Sequence, residues 1–167
     1  MMGVQFNADE VLEIAEQIER NGGRFYRAAA ETIEDPKNRQ MLLNLAALED
    51  QHEKTFATMR GELSSAEKEV ATFDPDEQMG EYLRAMADGK VFDVNKDPVE
   101  MMAEQGVKRI EDILRMAIGM EKDSVIYYMG MKAIVPQEHG REKIDHIIKE
   151  EMSHIGILSL ELGAVTS

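Results

Sequence analysis

Two glutamates, Glu19 and Glu121, are each followed 30 residues later by a Glu-x-x-His segment. These segments are Glu49-Asp50-Gln51-His52 and Glu151-Met152-Ser153-His154, so the whole pattern recurs at an offset of 102 residues. On a helix, residues three apart share a face. Each half of the chain therefore offers one carboxylate, then a carboxylate and an imidazole pointing the same way. A twofold set of four carboxylates and two imidazoles is a ligand set for two metal ions.

The periodicity puts these residues inside a bundle. The second helix presents Leu42, Leu45, Glu49, His52, Phe56, Met59 and Leu63 at alternating three- and four-residue steps. The first gives Leu12, Ala15, Glu19, Gly22, Tyr26, Ala29 and Ile33. The third gives Ile110, Leu114, Ala117, Glu121, Ser124 and Tyr128, and the fourth Ile144, Ile147, Glu151, His154, Leu158 and Leu162. In each stripe the ionisable residues take places that apolar residues would fill. The apolar positions repeat too: Leu12 pairs with Leu114, Ala15 with Ala117, Leu42 with Ile144 and Leu45 with Ile147.

The expected fold is all-α, a four-helix bundle of two antiparallel hairpins joined by a long crossover, with residues 1–167 forming a single domain. The first helix should run from about Ala8 to Glu34 with Asn7 as N-cap, and the second from Pro36 to about Leu63. The third should span Val107 to Ile134, stopping before Pro136, and the fourth Glu138 to Leu162, with Gly163 ending it. Short links within each pair make those helices antiparallel neighbours. In the crossover, Asp76 to Ala87 should be helical, Lys90 to Asn95 extended, and Asp97-Pro98 should start a further helical turn through Glu104.

A buried carboxylate without a partner costs several kcal/mol even after relaxation, on the order of the penalties known for buried ions. Four together also repel one another. Arg20, Arg24 and Lys122 lie off the stripes, so divalent cations are the compensation available. Mixed oxygen and nitrogen ligation suits iron or manganese and also accepts zinc. Either Glu-x-x-His alone would read more readily as a surface pair; the shared spacing and core phase of all six residues carry the metal reading. His139 and His146 have no glutamate three residues before them and belong on the surface.

The net charge of −14 argues against nucleic acid or an anionic membrane as partner, since both need basic patches. No apolar run is long enough to span a bilayer, and no signal segment opens the sequence. The absence of cysteine excludes disulfides, thiolate metal sites and Fe–S clusters in this chain and fits a cytoplasmic setting. The 13 methionines are scattered, read as flexible core filler, and offer no haem ligand.

With Glu19 seven residues before Tyr26 in Ile-Glu-Arg-Asn-Gly-Gly-Arg-Phe-Tyr, the motifs resemble the rubrerythrin branch of the ferritin-like di-iron carboxylate proteins. The resemblance covers both hairpins, the crossover and all six shared ligand positions. It implies two iron ions held by Glu19, Glu49, His52, Glu121, Glu151 and His154. Glu49 and Glu151 would bridge the ions, Glu19 and Glu121 would be terminal, and each histidine would complete one metal.

The implied activity is that of an oxidoreductase of oxidative stress, a non-haem peroxidase or oxidase acting on hydrogen peroxide or dioxygen. The family's rubredoxin-like domain carries four cysteines and this chain has none, so electrons would come from an external electron-transfer protein. Family members also place a further glutamate three residues after the third-helix ligand, where this chain has Ser124. Tyr26 and Tyr128 would hydrogen-bond ligands, carry an electron, or pack as ordinary aromatics. The expected assembly is a homodimer. Two other classes share the same residues: a ferroxidase or iron-handling protein of ferritin or bacterioferritin type, and a non-catalytic bundle stabilised by its metal.

Overall fold

The computed structural model describes residues 7–69, 81, 82, 85 and 95–167. Six α-helices lie within this range: α1 (Ala8–Thr32), α2 (Pro36–Gly61), α3 (Ser65–Glu69), α4 (Pro98–Glu104), α5 (Ile110–Met131) and α6 (Arg141–Thr166). The four long ones form the expected bundle, and no strand occurs among the described residues.

Local chemistry starts the helices where the sequence indicates. Asn7 Oδ1 accepts from the Glu10 amide at 2.9 Å while Glu10 Oε2 accepts from the Asn7 amide at 3.0 Å, a complete capping box. Asp35 accepts from the Asn38 amide at 2.8 Å, and Pro36 opens α2. Asp97 caps α4 by accepting from the Val99 amide at 2.9 Å. Its other carboxylate oxygen lies 2.5 Å from Arg24 Nη2, tying α4 to α1.

Four boundaries differ from expectation. Helix α5 ends at Met131 rather than Ile134, because the Ala133 and Ile134 amides bond to carbonyls three residues back, in tight turns. Helix α5 starts at Ile110, after Gly106 turns the chain at φ 64°. Helix α6 starts at Arg141, because Gln137–His139 forms a separate 3-10 turn and Gly140 takes a left-handed φ of 103°. Gly163 does not end α6, which continues to Thr166. Open space surrounds Gly163, its carbonyl accepts from Ser167 Oγ at 2.6 Å, and residues 164–167 include no proline to stop the helix. The extended piece expected from Lys90 lies outside the described residues apart from Asn95, which is in a turn. Of the helical stretch before it, only 81, 82 and 85 are described, all helical.

Helix α1 packs along α2 and α5 along α6, and the two hairpins then meet through α1 with α5 and α2 with α6. Two apolar clusters fill the interior. One holds Leu12, Ala15, Phe56, Tyr127, Tyr128, Ile144 and Ile147; the other holds Phe25, Tyr26, Leu42, Leu45, Leu114, Ala117 and Leu158. The 102-residue offset carries each residue named in one cluster onto one named in the other. The approximate twofold axis therefore runs across the bundle and exchanges its ends. Between the two clusters lies the level of the repeated glutamates and histidines.

Candidate metal centre

All six predicted ligands are brought together at that level, and all are buried: Glu19 1%, Glu49 4%, His52 3%, Glu121 3%, Glu151 0% and His154 2% exposed. They form two overlapping groups. Glu19, Glu49, His52 and Glu151 converge in one, and Glu49, Glu121, Glu151 and His154 in the other; within each group the potential ligand atoms lie within 4.8 Å of one another. Glu49 and Glu151 belong to both. Glu19 with His52, and Glu121 with His154, belong to one each. The imidazoles face each other nearly parallel, with centroids 5.8 Å apart.

Both histidines turn Nδ1 inward. His52 Nδ1 lies 2.7 Å from Glu151 Oε1 and 3.3 Å from Glu19 Oε2. His154 Nδ1 lies 3.2 Å from Glu151 Oε2, 3.4 Å from Glu121 Oε1 and 3.5 Å from Glu49 Oε1. Despite these short approaches, six buried atoms have no hydrogen bond of acceptable angle: Glu19 Oε2, Glu49 Oε1, both Glu151 oxygens and the two Nδ1 atoms. Buried polar atoms are almost always paired. Six orphans aimed at a common volume are the geometry of a ligand set, and carboxylate oxygen with imidazole nitrogen fits hard to borderline divalent cations. The residues present thus fit a metal pair.

Electrostatics agree. Burial, then the charges of Glu19, Glu121 and Glu151, push the Glu49 carboxyl well above its ordinary range. Burial and Glu151 raise Glu121 to about 8. Burial alone would lower the histidines, but the flanking carboxylates win: Glu151 and Glu19 raise His52 to about 11, and Glu121 and Glu151 raise His154 to about 9. Burial and Glu19 also press Glu151 upward, yet contacts from Glu121, His154 and His52 hold it below the usual range. Without metal, protons neutralise this cluster.

Two tyrosines brace the outer carboxylates reciprocally. The Tyr26 hydroxyl donates to Glu121 Oε1 and the Tyr128 hydroxyl to Glu19 Oε1, both across the bundle. Both rings also pack, Tyr26 on Phe25 and Tyr128 on Phe56 and Tyr127. Ser124 is buried, and its hydroxyl donates to the Met120 carbonyl at 3.0 Å. A cavity of about 10 Å³ lies beside Gly22, Tyr26, Glu49, Glu121 and Ser124.

Two contributors are not evident from the motif. A Cβ at Gly22 would come 2.5 Å from Glu49 Oε2, so the glycine makes room for that carboxylate. Its only sequence signal is a glycine inside a helical stripe, where it costs stability. Glu150 Oε2 lies 3.0 Å from His52 Nε2, and nothing in the sequence marks it beyond its neighbour Glu151. Of the remaining histidines, His146 has a largely exposed side chain, as expected. His139 is half-buried at the surface and paired with Glu67.

This fold and site define a ferritin-like carboxylate bundle. A solved structure of a candidate ferritin-like diiron-carboxylate protein from Thermotoga maritima matches with a TM-score of 0.75, covering 98% of each chain at 23% identity. The chain belongs to the rubrerythrin family, whose sequence model matches residues 10–113, more than half its length. That match includes Glu19, Glu49 and His52; Glu121, Glu151 and His154 are candidates through the internal repeat and the geometry. No curated protein matches the chain. Among the described residues, no helix is long and apolar enough to cross a membrane.

Proposed function

We propose that this chain is a di-iron carboxylate redox protein that reduces hydrogen peroxide or dioxygen with electrons from an external protein. The observation that carries the reading is the pair of overlapping ligand groups sharing Glu49 and Glu151, with six orphaned atoms facing inward. Glu19, Glu49, His52 and Glu151 would hold one ion, and Glu49, Glu121, Glu151 and His154 the other. When bound, the iron pair supplies two electrons, which with two protons convert hydrogen peroxide to two waters.

The chain's own part is positioning and exclusion. Tyr26 and Tyr128 fix the outer carboxylates, and the two apolar clusters close the bundle above and below the site. The cavity of about 10 Å³ has about the room that one water molecule needs and would admit only a very small molecule. With no cysteine for an iron–sulfur site among these 167 residues, this reading assigns the electrons to an external protein. A reducing cytoplasm fits the same absence. Large apolar side chains left exposed on α5 and α6, among them Ile126, Met129, Met152 and Leu160, support a homodimer.

The test is anaerobic reduction of the iron-loaded protein followed by a spectral titration with peroxide. Stoichiometric reoxidation in wild type, lost in Glu49→Ala and Glu151→Ala, supports the proposal. Equal reoxidation in all three proteins would assign the reaction to adventitious iron.

A further inference from the structure

The twofold repeat fails at Gly22, whose counterpart is Ser124, and again on the outer side of the two histidines. His52 turns Nδ1 toward the carboxylates and Nε2 outward, where Glu150 Oε2 lies at 3.0 Å. The position related to Glu150 by the 102-residue offset is Leu48, which carries no charge and cannot accept a hydrogen bond through its side chain. Among the described residues, no side chain hydrogen-bonds His154 Nε2. The two imidazoles thus have matching inner faces and different outer ones.

This difference has a direct chemical consequence. An imidazole that offers Nδ1 to a cation must keep its proton on Nε2, and a carboxylate accepting that proton fixes the tautomer and the ring angle. It also makes the ligating nitrogen more basic. Glu150 is placed to do this for His52, on the wall of a solvent-open pocket of about 540 Å³ that it shares with Gln51, Thr55 and His146. His146 Nε2 lies 3.5 Å from the other Glu150 oxygen and helps hold that side chain in place. Among the described residues, no side chain stands in the corresponding place to accept the outer proton of His154.

We propose that Glu150 is a positioning residue that makes the two metal positions inequivalent, so that the one served by Glu19 and His52 fills before the one served by Glu121 and His154. The inference rests on the di-metal reading above. Loss of an outer hydrogen-bond partner of a ligating histidine lowers metal affinity by about 10- to 100-fold, and the effect here falls on one position only. Repulsion between two cations that share two carboxylates opposes the second ion whichever position fills first, so weaker second binding alone discriminates nothing. The order of filling, and its dependence on Glu150, are therefore the discriminating observations.

The experiment titrates the metal-free full chain with Co²⁺ alone, following visible absorption for affinity and paramagnetically shifted imidazole N–H signals for position. His154→Gln assigns the His52 signal. Wild type should bind two equivalents, and at one equivalent the His52 N–H should dominate and exchange slowly with solvent. In Glu150→Leu, which copies the residue at the related position, first-step affinity should fall about 10- to 100-fold and both histidine signals should appear together at one equivalent. Glu150→Gln keeps an acceptor without the charge and should fall between. An unchanged melting temperature of metal-free Glu150→Leu separates positioning from a structural role. Two equivalents bound with the His154 signal first, or a first step unmoved by Glu150→Leu, would overturn the inference and leave the di-metal reading standing. Fewer than two equivalents bound by wild type would overturn that reading itself.

Discussion

The hydroxyl of Tyr128 on α5 donates a hydrogen bond to Glu19 Oε1 on α1, and Tyr26 returns the same bond from α1 to Glu121 on α5. The two hairpins are thus laced through the outer carboxylates of the candidate site. Each bond occupies one carboxylate oxygen; on Glu19 it leaves Oε2 buried, unpaired and facing the centre.

Tyr128→Phe and Tyr26→Phe should therefore each destabilise the metal-free fold by about 1–3 kcal/mol, the cost of leaving a buried acceptor unmade. Each should also weaken metal binding at the position its carboxylate serves. Chemical denaturation of the two variants checks the first effect and a metal titration the second. A variant as stable as wild type would show that these tyrosines act only by packing.

Gly22 provides a sharper steric test. Alanine normally stabilises a helix interior by about 0.5–1 kcal/mol relative to glycine. At Gly119, exposed on α5 with open space around it, Gly119→Ala should show that gain. At Gly22 the new methyl would meet Glu49 Oε2 at 2.5 Å and displace a carboxylate shared by both ligand groups. Gly22→Ala should thus lower metal stoichiometry despite the better helix former, as metal analysis after desalting would show.

The four long helices, the starts of α1, α2 and α4, and the six clustered residues were legible because each has a local or periodic signature. Asn7, Asp35-Pro36 and Asp97-Pro98 are caps readable from a few residues, and the ligands sit in phase with apolar stripes. What crosses between helices was not legible. Seven residues is about 10 Å along a helix, so Tyr26 sits well beyond its own Glu19 and its hydroxyl instead crosses to Glu121. Whether it would do so depends on how α1 and α5 are rotated against each other. The same holds for Glu150 and His52, which meet only because α6 lies against α2. The ends of α6 were misplaced for a different reason: glycine marks an end only where a positive φ is used, which Gly140 does and Gly163 does not.

The protonation of the empty cluster fixes the sign of its pH dependence. Glu121, raised from an ordinary 4.5 to about 8, and Glu49, also raised, hold protons in the fold that the unfolded chain releases. His52 and His154, raised from 6.5 to about 11 and about 9, do the same. All four contribute stability that is full below their unfolded values and is lost as pH rises through the folded ones. Glu151, lowered, acts oppositely and only on the acid side. The melting temperature of metal-free protein should therefore fall as pH rises from about 4.5 to about 11, most steeply between about 6.5 and about 8, where Glu121, His52 and His154 all contribute. Metal-loaded protein, its ligand protons displaced, should fall much less. Parallel melting curves for the two forms would contradict this.

Sharing of Glu49 and Glu151 makes a further distinction among ligand variants. Glu49→Ala and Glu151→Ala should disturb both metal positions. Glu19→Ala and Glu121→Ala should each spare one, retaining about half the metal and part of the thermal stabilisation that preferential binding to the native state confers. Loss of the same amount in all four would show that the groups do not overlap as described.

The most direct test of the central claim is anomalous diffraction at the iron edge from crystals of the iron-loaded protein. The account predicts two peaks between Glu49 and Glu151, one completed by Glu19 and His52 and the other by Glu121 and His154. Iron bound only at surface carboxylates, with the six buried residues closed on one another, would contradict it.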